Sequence, residues 1–174
     1  YPRGNELLSI IDALATVVNS NGEITSCSTE DYEGLIVIAG NNPPVLIAEQ
    51  LIHESTHIHF QTILNSNKEY PALFSKLPAF YSPFTDNARP AIKLAHGIFS
   101  YTEVLSMWLS LKNNPKINPY YFGLANKEEI AKNIQLRINE LQARIFTALR
   151  NFQALLNDDE YNLWLDLYNK FLSN

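Results

Sequence analysis

The chain has 174 residues, 46% hydrophobic and 18% charged, with a formal charge of -5; this balance supports one ordered domain over 1–174 with its own core and excludes long disorder. The negative charge gives no general attraction to nucleic acid or anionic membrane, and there is no run of about 18 apolar residues to span one. A single cysteine, Cys27, excludes an internal disulfide framework and makes a reducing, cytoplasmic setting the default. The first residues lack the basic-then-apolar pattern of a signal peptide, and a start at Tyr1 rather than Met suits a segment of a longer protein or a processed one.

In chain order, Asn5 is placed to cap a first helix to about Val18, with Leu7, Leu8, Ile11, Leu14, Ala15 and Val18 on its apolar face and Asn21-Gly22 ending it. A turn at Glu33-Gly34 leads into the β-branched run Leu35 to Ala39, a short strand that pairs with the region of Ile24. Asn41-Asn42-Pro43-Pro44 stops that strand and starts a helix from Val45 to Leu64, whose apolar residues lie on too many sides for a surface helix. It reads as central. Pro71 opens a short helical piece near Leu73 to Leu77, and Pro78, Ser82-Pro83 and Asp86-Asn87 keep the next stretch irregular. Pro90 begins a helix over Ala91 to Leu111. After a second long connection, Ile130, Ile134, Ile138, Leu141, Ile145, Leu149, Phe152 and Leu156 mark one helix from Lys127 to about Leu156. Asn157-Asp158-Asp159 then breaks the chain before an aromatic helix through Trp164, Tyr168 and Phe171. The fold class is mainly α, a helical domain with a small β element.

The central helix carries His53-Glu54-Ser55-Thr56-His57, an H-E-x-x-H pattern. Histidines four apart stack on one helix face, so His53 and His57 can offer two imidazoles to one ion. A charged Glu54 amid apolar neighbours is costly without a metal-bound partner or hydrogen bonds. Two ordinary helical histidines are the bland alternative. His59 points about 200° away from His57. For a third ligand the spacing offers His96 or Glu103 and favours neither sharply, because the two are about 10 Å of helix rise apart. Arg89, seven residues before His96 in the same helical direction, can hold a carboxylate; a surface arginine is the alternative. Three ligands leave open positions for water or substrate. With zinc, Glu54 is the base of an amide hydrolase; with ferrous iron, the open positions take a keto acid and oxygen, and Glu54 only orients the ligands.

Three segments together resemble the HExxH-type peptide-modification family: Gly34-Leu35-Ile36-Val37-Ile38, Leu51-Ile52-His53-Glu54-Ser55-Thr56-His57, and Tyr81-Ser82-Pro83 leading to Arg89-Pro90 and His96-Gly97-Ile98-Phe99. The resemblance spans roughly residues 23 to 110. It implies an Fe(II)- and 2-oxoglutarate-dependent dioxygenase that β-hydroxylates a side chain in a ribosomally made precursor peptide, releasing succinate. It implies His53, His57 and His96 as iron ligands, with Arg89, Ser82 and Tyr81 near the cosubstrate and Glu54 and Arg89 as functional side chains. A zinc metallopeptidase with Glu54 as general base is the alternative, and a metal-binding module without turnover is the third reading.

Tyr101, Trp108 and Phe99 share the His96 helix and are read as pocket walls or as packing. Lys127, Lys132, Arg137, Arg144 and Arg150 form a solvated face or a groove for a leader peptide or partner protein. Tyr161, Trp164, Tyr168 and Phe171 dock the last helix or an oligomer partner. Cys27 is an incidental thiol by default.

Overall fold

A run of β-branched and apolar residues folds as a strand or a helix depending on whether another strand lies beside it. In the computed structural model, which describes residues 3–18, 26–28, 34–114, 116–124 and 126–173, this competition decides the N-terminal region. Helix α1 covers only Gly4–Ser9. The chain then turns, Asp12 and Ala13 both donate their N–H to the Gly34 carbonyl at 3.0 and 3.1 Å, and Ala13–Val17 forms strand β1. It pairs in parallel with β3, Leu35–Ala39, from Ala13 opposite Leu35 to Val17 opposite Ala39.

The single helix expected to run to Val18 is therefore corrected to a helical turn plus a strand. The ladder to β3 satisfies the backbone of both segments. Of the residues expected to face a core from that helix, Leu7 is buried in α1, whereas Leu14 and Val18 stay in solvent, 50% and 86% exposed. Strand β2, Ser26–Ser28, pairs antiparallel on the other side of β3, giving the order β1-β3-β2. The expected pairing through Ile24 and the turn at Asn21-Gly22 lie outside the described residues. Gly34 has φ +79°, and a Cβ there would meet the Asp12 carboxylate at 2.6 Å. Only glycine serves at this turn.

The Pro43-Pro44 pair caps and opens helix α2, Pro44–Asn65, where proline's missing donor costs nothing. Residues on every side of α2 are buried, among them Glu49, Ile52, Glu54, Phe60 and Leu64, so it runs through the middle of the fold as its sequence pattern implied. Helix α3, Glu69–Ser75, holds Pro71 within its first turn. The stretch expected to be irregular contains a ribbon instead: β4, Phe80–Ser82, pairs antiparallel with β5, Asn87–Arg89. Its turn closes through Thr85 and Asp86 N–H groups donating to the Ser82 carbonyl, with Asp86 left-handed at φ 53°, a conformation that Asp tolerates better than most residues.

Helix α4, Ala91–Lys112, starts after Pro90 and is buried along most of its length. A short 3-10 turn, Pro119–Phe122, leads to α5, Lys127–Gln153, capped by the Asn126 side chain accepting from Glu129 N–H at 2.9 Å. Helix α6, Asp158–Ser173, begins with a reciprocal cap: Glu160 N–H donates to Asn157 Oδ1 and Asn157 N–H to Glu160 Oε2, each at 3.0 Å. The fold is thus mainly α with a small sheet.

Two adjoining apolar clusters hold it. One joins α2, α3, α4, α5 and α6 through Phe60, Leu64, Phe74, Phe99, Phe152 and Trp164; Trp164, Leu167 and Phe171 of α6 are at most 1% exposed, so the aromatic helix docks intramolecularly. The other joins the remaining halves of α2, α4 and α5 through Ile52, Met107, Trp108, Ile134 and Leu141. Beside the second cluster, Glu49 of α2 accepts from the Trp108 indole N–H at 2.6 Å and is ion-paired with Arg137 of α5. No helix among the described residues is long and apolar enough to cross a membrane.

Candidate functional site

Successive turns of α2 place His53 and His57 on one face, and α4 packs across that face to bring in His96. His57 Nε2 lies 3.0 Å from His53 Nε2, and His57 Nδ1 lies 3.1 Å from His96 Nδ1. All three imidazoles are held neutral. Burial, with smaller contributions from neighbouring charge, lowers the pKa of His53 to about 4 and those of His57 and His96 to about 3. A neutral imidazole carries one proton and one lone pair, so His57 donates to one neighbour and accepts from the other.

That geometry bears on metal binding. Among the described residues, no three His, Cys, Asp or Glu side chains are arranged as they stand to hold an ion. The reason is that His57 meets its two partners with opposite ring nitrogens, and convergence on one ion requires a ring to turn. The donor set itself fits: three neutral imidazoles, with His57 within 3.1 Å of each of the other two, have lone pairs to give at neutral pH without first losing a proton. Glu103, the competing third candidate, is elsewhere. It is 3% exposed, about two turns further along the same side of α4, and accepts from Arg3 at 2.5 Å. His59 points to that same cluster, where Arg3 approaches its Nε2 at 3.4 Å and Phe171 lies 5.4 Å away.

Glu54 is 4% exposed, and both its carboxylate oxygens accept from strand β2: Oε1 from Ser26 Oγ at 2.7 Å and Oε2 from Ser28 Oγ at 2.9 Å. Burial raises its pKa, and the serine bonds oppose that shift without cancelling it. Sequence reading missed both serines, although their alternation around Cys27 puts them on one face of a strand. Exposed Cys27 lies between them at the pocket rim.

The histidines and Glu54 line a pocket of about 630 Å³. Ser82 and Arg89 come to it on the β4–β5 ribbon, and Lys93 on the first turn of α4. Ser82 is 3% exposed; Arg89 is exposed, with Nε donating to Asn87 Oδ1 at 3.1 Å and Thr85 Oγ1 at 3.3 Å. Tyr81, the third residue expected near a cosubstrate, is not brought in. It is 51% exposed, and its hydroxyl donates to Asp86 at 2.7 Å, because alternate residues of a strand face opposite ways. The ribbon is seated by Phe84, whose ring stacks on Tyr101 at 4.6 Å and 16°. A Cβ at Gly97 would strike the Phe84 ring at 2.6 Å. Tyr101 also stands edge-on to His53 at 4.8 Å and lines the pocket, whereas Phe99 and Trp108 pack in the core. Lys93 was not singled out by sequence; its place three residues before His96 was the available signal.

Compared with known proteins, the chain matches no protein-family model, and no curated protein matches it.

Proposed function

We propose that the chain is an Fe(II)- and 2-oxoglutarate-dependent enzyme that hydroxylates the β-carbon of a side chain in a ribosomally made peptide, working in a reducing, cytoplasmic setting. The observation that carries this reading is a trio of neutral histidines, His96 buried and His53 and His57 half-buried, opening on the same pocket as the cation Arg89. A guanidinium there suits the bidentate capture of a carboxylate such as that of a keto-dicarboxylate cosubstrate.

His53, His57 and His96 would hold the ion. When bound, iron and the keto acid supply the oxidant: oxygen and 2-oxoglutarate become succinate and carbon dioxide, and a peptide C–H becomes C–OH. The chain's own residues supply position and shielding. Arg89, fixed in its ribbon by Asn87 and Thr85, draws the carboxylate in, with the Ser82 hydroxyl beside it. Phe84 and Tyr101 wall the His53 side against water. Glu54, clamped by two serine hydroxyls, ties β2 to α2 and so keeps the histidine-bearing turns in place.

The zinc peptidase reading has one observation in its favour, the raised pKa of Glu54 at the pocket edge, which suits a general base. It requires Glu54 to leave its serines. Anaerobic loading with iron(II), then addition of 2-oxoglutarate, oxygen and candidate peptides, decides between them. We expect succinate and a product heavier by one oxygen, with stoichiometric metal lost in His96→Ala and kept in Glu103→Gln. Zinc-dependent cleavage abolished in Glu54→Gln, with no succinate under any condition, would overturn the proposal.

A further inference from the structure

Strand β1 is an edge of its sheet, and it lacks the devices that keep an edge strand single. Among the described residues its strand neighbour is β3 alone, in the order β1-β3-β2. All five of its residues are exposed. From Ala13 to Val18 the chain carries no charge and no proline, which are common guards against further pairing. The open side of the strand has a definite pattern. Ala13 N–H donates to the Gly34 carbonyl and Gly40 N–H to the Val17 carbonyl, so in this parallel register Ala13, Ala15 and Val17 turn their backbone groups to β3. The N–H and C=O of Leu14 and Thr16 point the other way.

That pattern is complementary to itself. With two β1 strands antiparallel about a two-fold axis at Ala15, Leu14 of each strand faces Thr16 of the other and the two residues exchange N–H···O=C bonds. Ala15 then meets its own copy as the non-hydrogen-bonded pair between them. A shift by one residue sets Leu14 against a residue already bonded to β3. Charge agrees with the pairing, which matters for a chain of net charge -5. The charged residue nearest in sequence, Asp12, lies about 20 Å along the ribbon from its counterpart, beyond effective repulsion at physiological salt. We propose that β1 is the interface through which two copies of this chain join into one continuous sheet. Asp12 lines the pocket that holds the histidines, and this register sets Val18 of the partner subunit opposite it, so each protomer reaches the rim of the other's pocket.

Sedimentation equilibrium of the chain is the test. One strand pair makes a small interface, for which a dissociation constant of about 1–100 μM is expected. Ala15→Lys and Ala15→Glu each set like charges face to face on the two-fold axis. Each should weaken assembly about 10-fold or more, and an equimolar mixture of the two variants should regain it. Ala15→Cys in a Cys27→Ser background should oxidise to a disulfide-linked dimer, whereas Ala13→Cys, about 14 Å from its counterpart, should not. Circular dichroism checks the fold of each variant. A chain that stays monomeric up to about 500 μM overturns the proposal, as does assembly unmoved by either charge, or crosslinking as fast in Ala13→Cys as in Ala15→Cys. A monomer whose Leu14 and Thr16 amides gain exchange protection only on addition of an extended peptide assigns the edge to that peptide and overturns the proposal too.

Discussion

Replacing Glu49 by leucine tests the contact that holds the histidine-bearing helix against its neighbours. Glu49 lies one turn before His53 on α2, is 7% exposed, accepts from Trp108 Nε1 at 2.6 Å, and meets Arg137 through two guanidinium nitrogens. Leucine leaves the indole N–H of Trp108, itself 1% exposed, buried without that acceptor, at about 1–3 kcal/mol. Arg137 loses a charged partner but keeps Glu140 at 2.8 Å, and its side chain is 24% exposed, so its share is about 1–2 kcal/mol, below the cost of stranding a fully buried charge. The sum is about 3 kcal/mol, a Tm lower by about 9 °C for a chain of this size. Urea melts followed by circular dichroism measure it. Glu49→Gln should lose less, since its amide oxygen still accepts from Trp108. The double variant Glu49→Leu/Arg137→Leu should be more stable than the two single losses added, by about 1 kcal/mol or more. A Glu49→Leu loss under about 1 kcal/mol, or strict additivity in the double variant, would refute the reasoning.

Acid should destabilise the metal-free protein over a defined window. His53, His57 and His96 are neutral in the fold down to about pH 4, 3 and 3, but protonate near pH 6.5 when unfolded. Between these limits the unfolded chain binds more protons, so stability is full above about pH 6.5 and falls by up to about 1.4 kcal/mol per pH unit for each histidine as pH drops. Glu54, with its raised pKa, acts in the opposite sense: its contribution is present below the unfolded value of 4.5 and is lost as pH rises through the folded one. A urea midpoint constant from pH 7 to 5 would contradict the neutral-trio description. Gly97→Ala should leave overall stability within about 1 kcal/mol, since alanine's helix propensity offsets part of the clash, yet it should unseat Phe84 and loosen the ribbon that carries Ser82 and Arg89. Faster amide exchange confined to 80–89 is the expected signature; unchanged exchange there would mean that Phe84 does not anchor the ribbon.

Local signals in the chain sufficed for the long helices. The buried pattern from Val45 to Leu64, the proline starts at Pro44 and Pro90, and the recurrence from Ile130 to Phe152 each depend on residues within a few turns of one another. They also put His53 and His57 on one face, because an i, i+4 spacing is a property of the helix alone. Four features needed the tertiary structure. Ala13–Val17 is a strand only because β3 lies beside it, and no window around Leu14 contains that information. Tyr81 and Ser82 were grouped by adjacency, but pairing with β5 turns one outward and the other into the pocket. His96 and Glu103 were equivalent by spacing. Packing α4 on α2 sends His96 to the pocket and Glu103 to Arg3, and the Ser26 and Ser28 clamp on Glu54 joins positions 28 and 26 residues away in sequence. The chain by itself therefore determined the long helices α2, α4 and α5 and which of their side chains share a face, since those follow from rise and rotation per residue. Which faces meet, and so which third histidine, serines and cations surround the H-E-x-x-H turn, was decided by long-range burial and strand pairing, whose free energy exists only once distant segments are in contact.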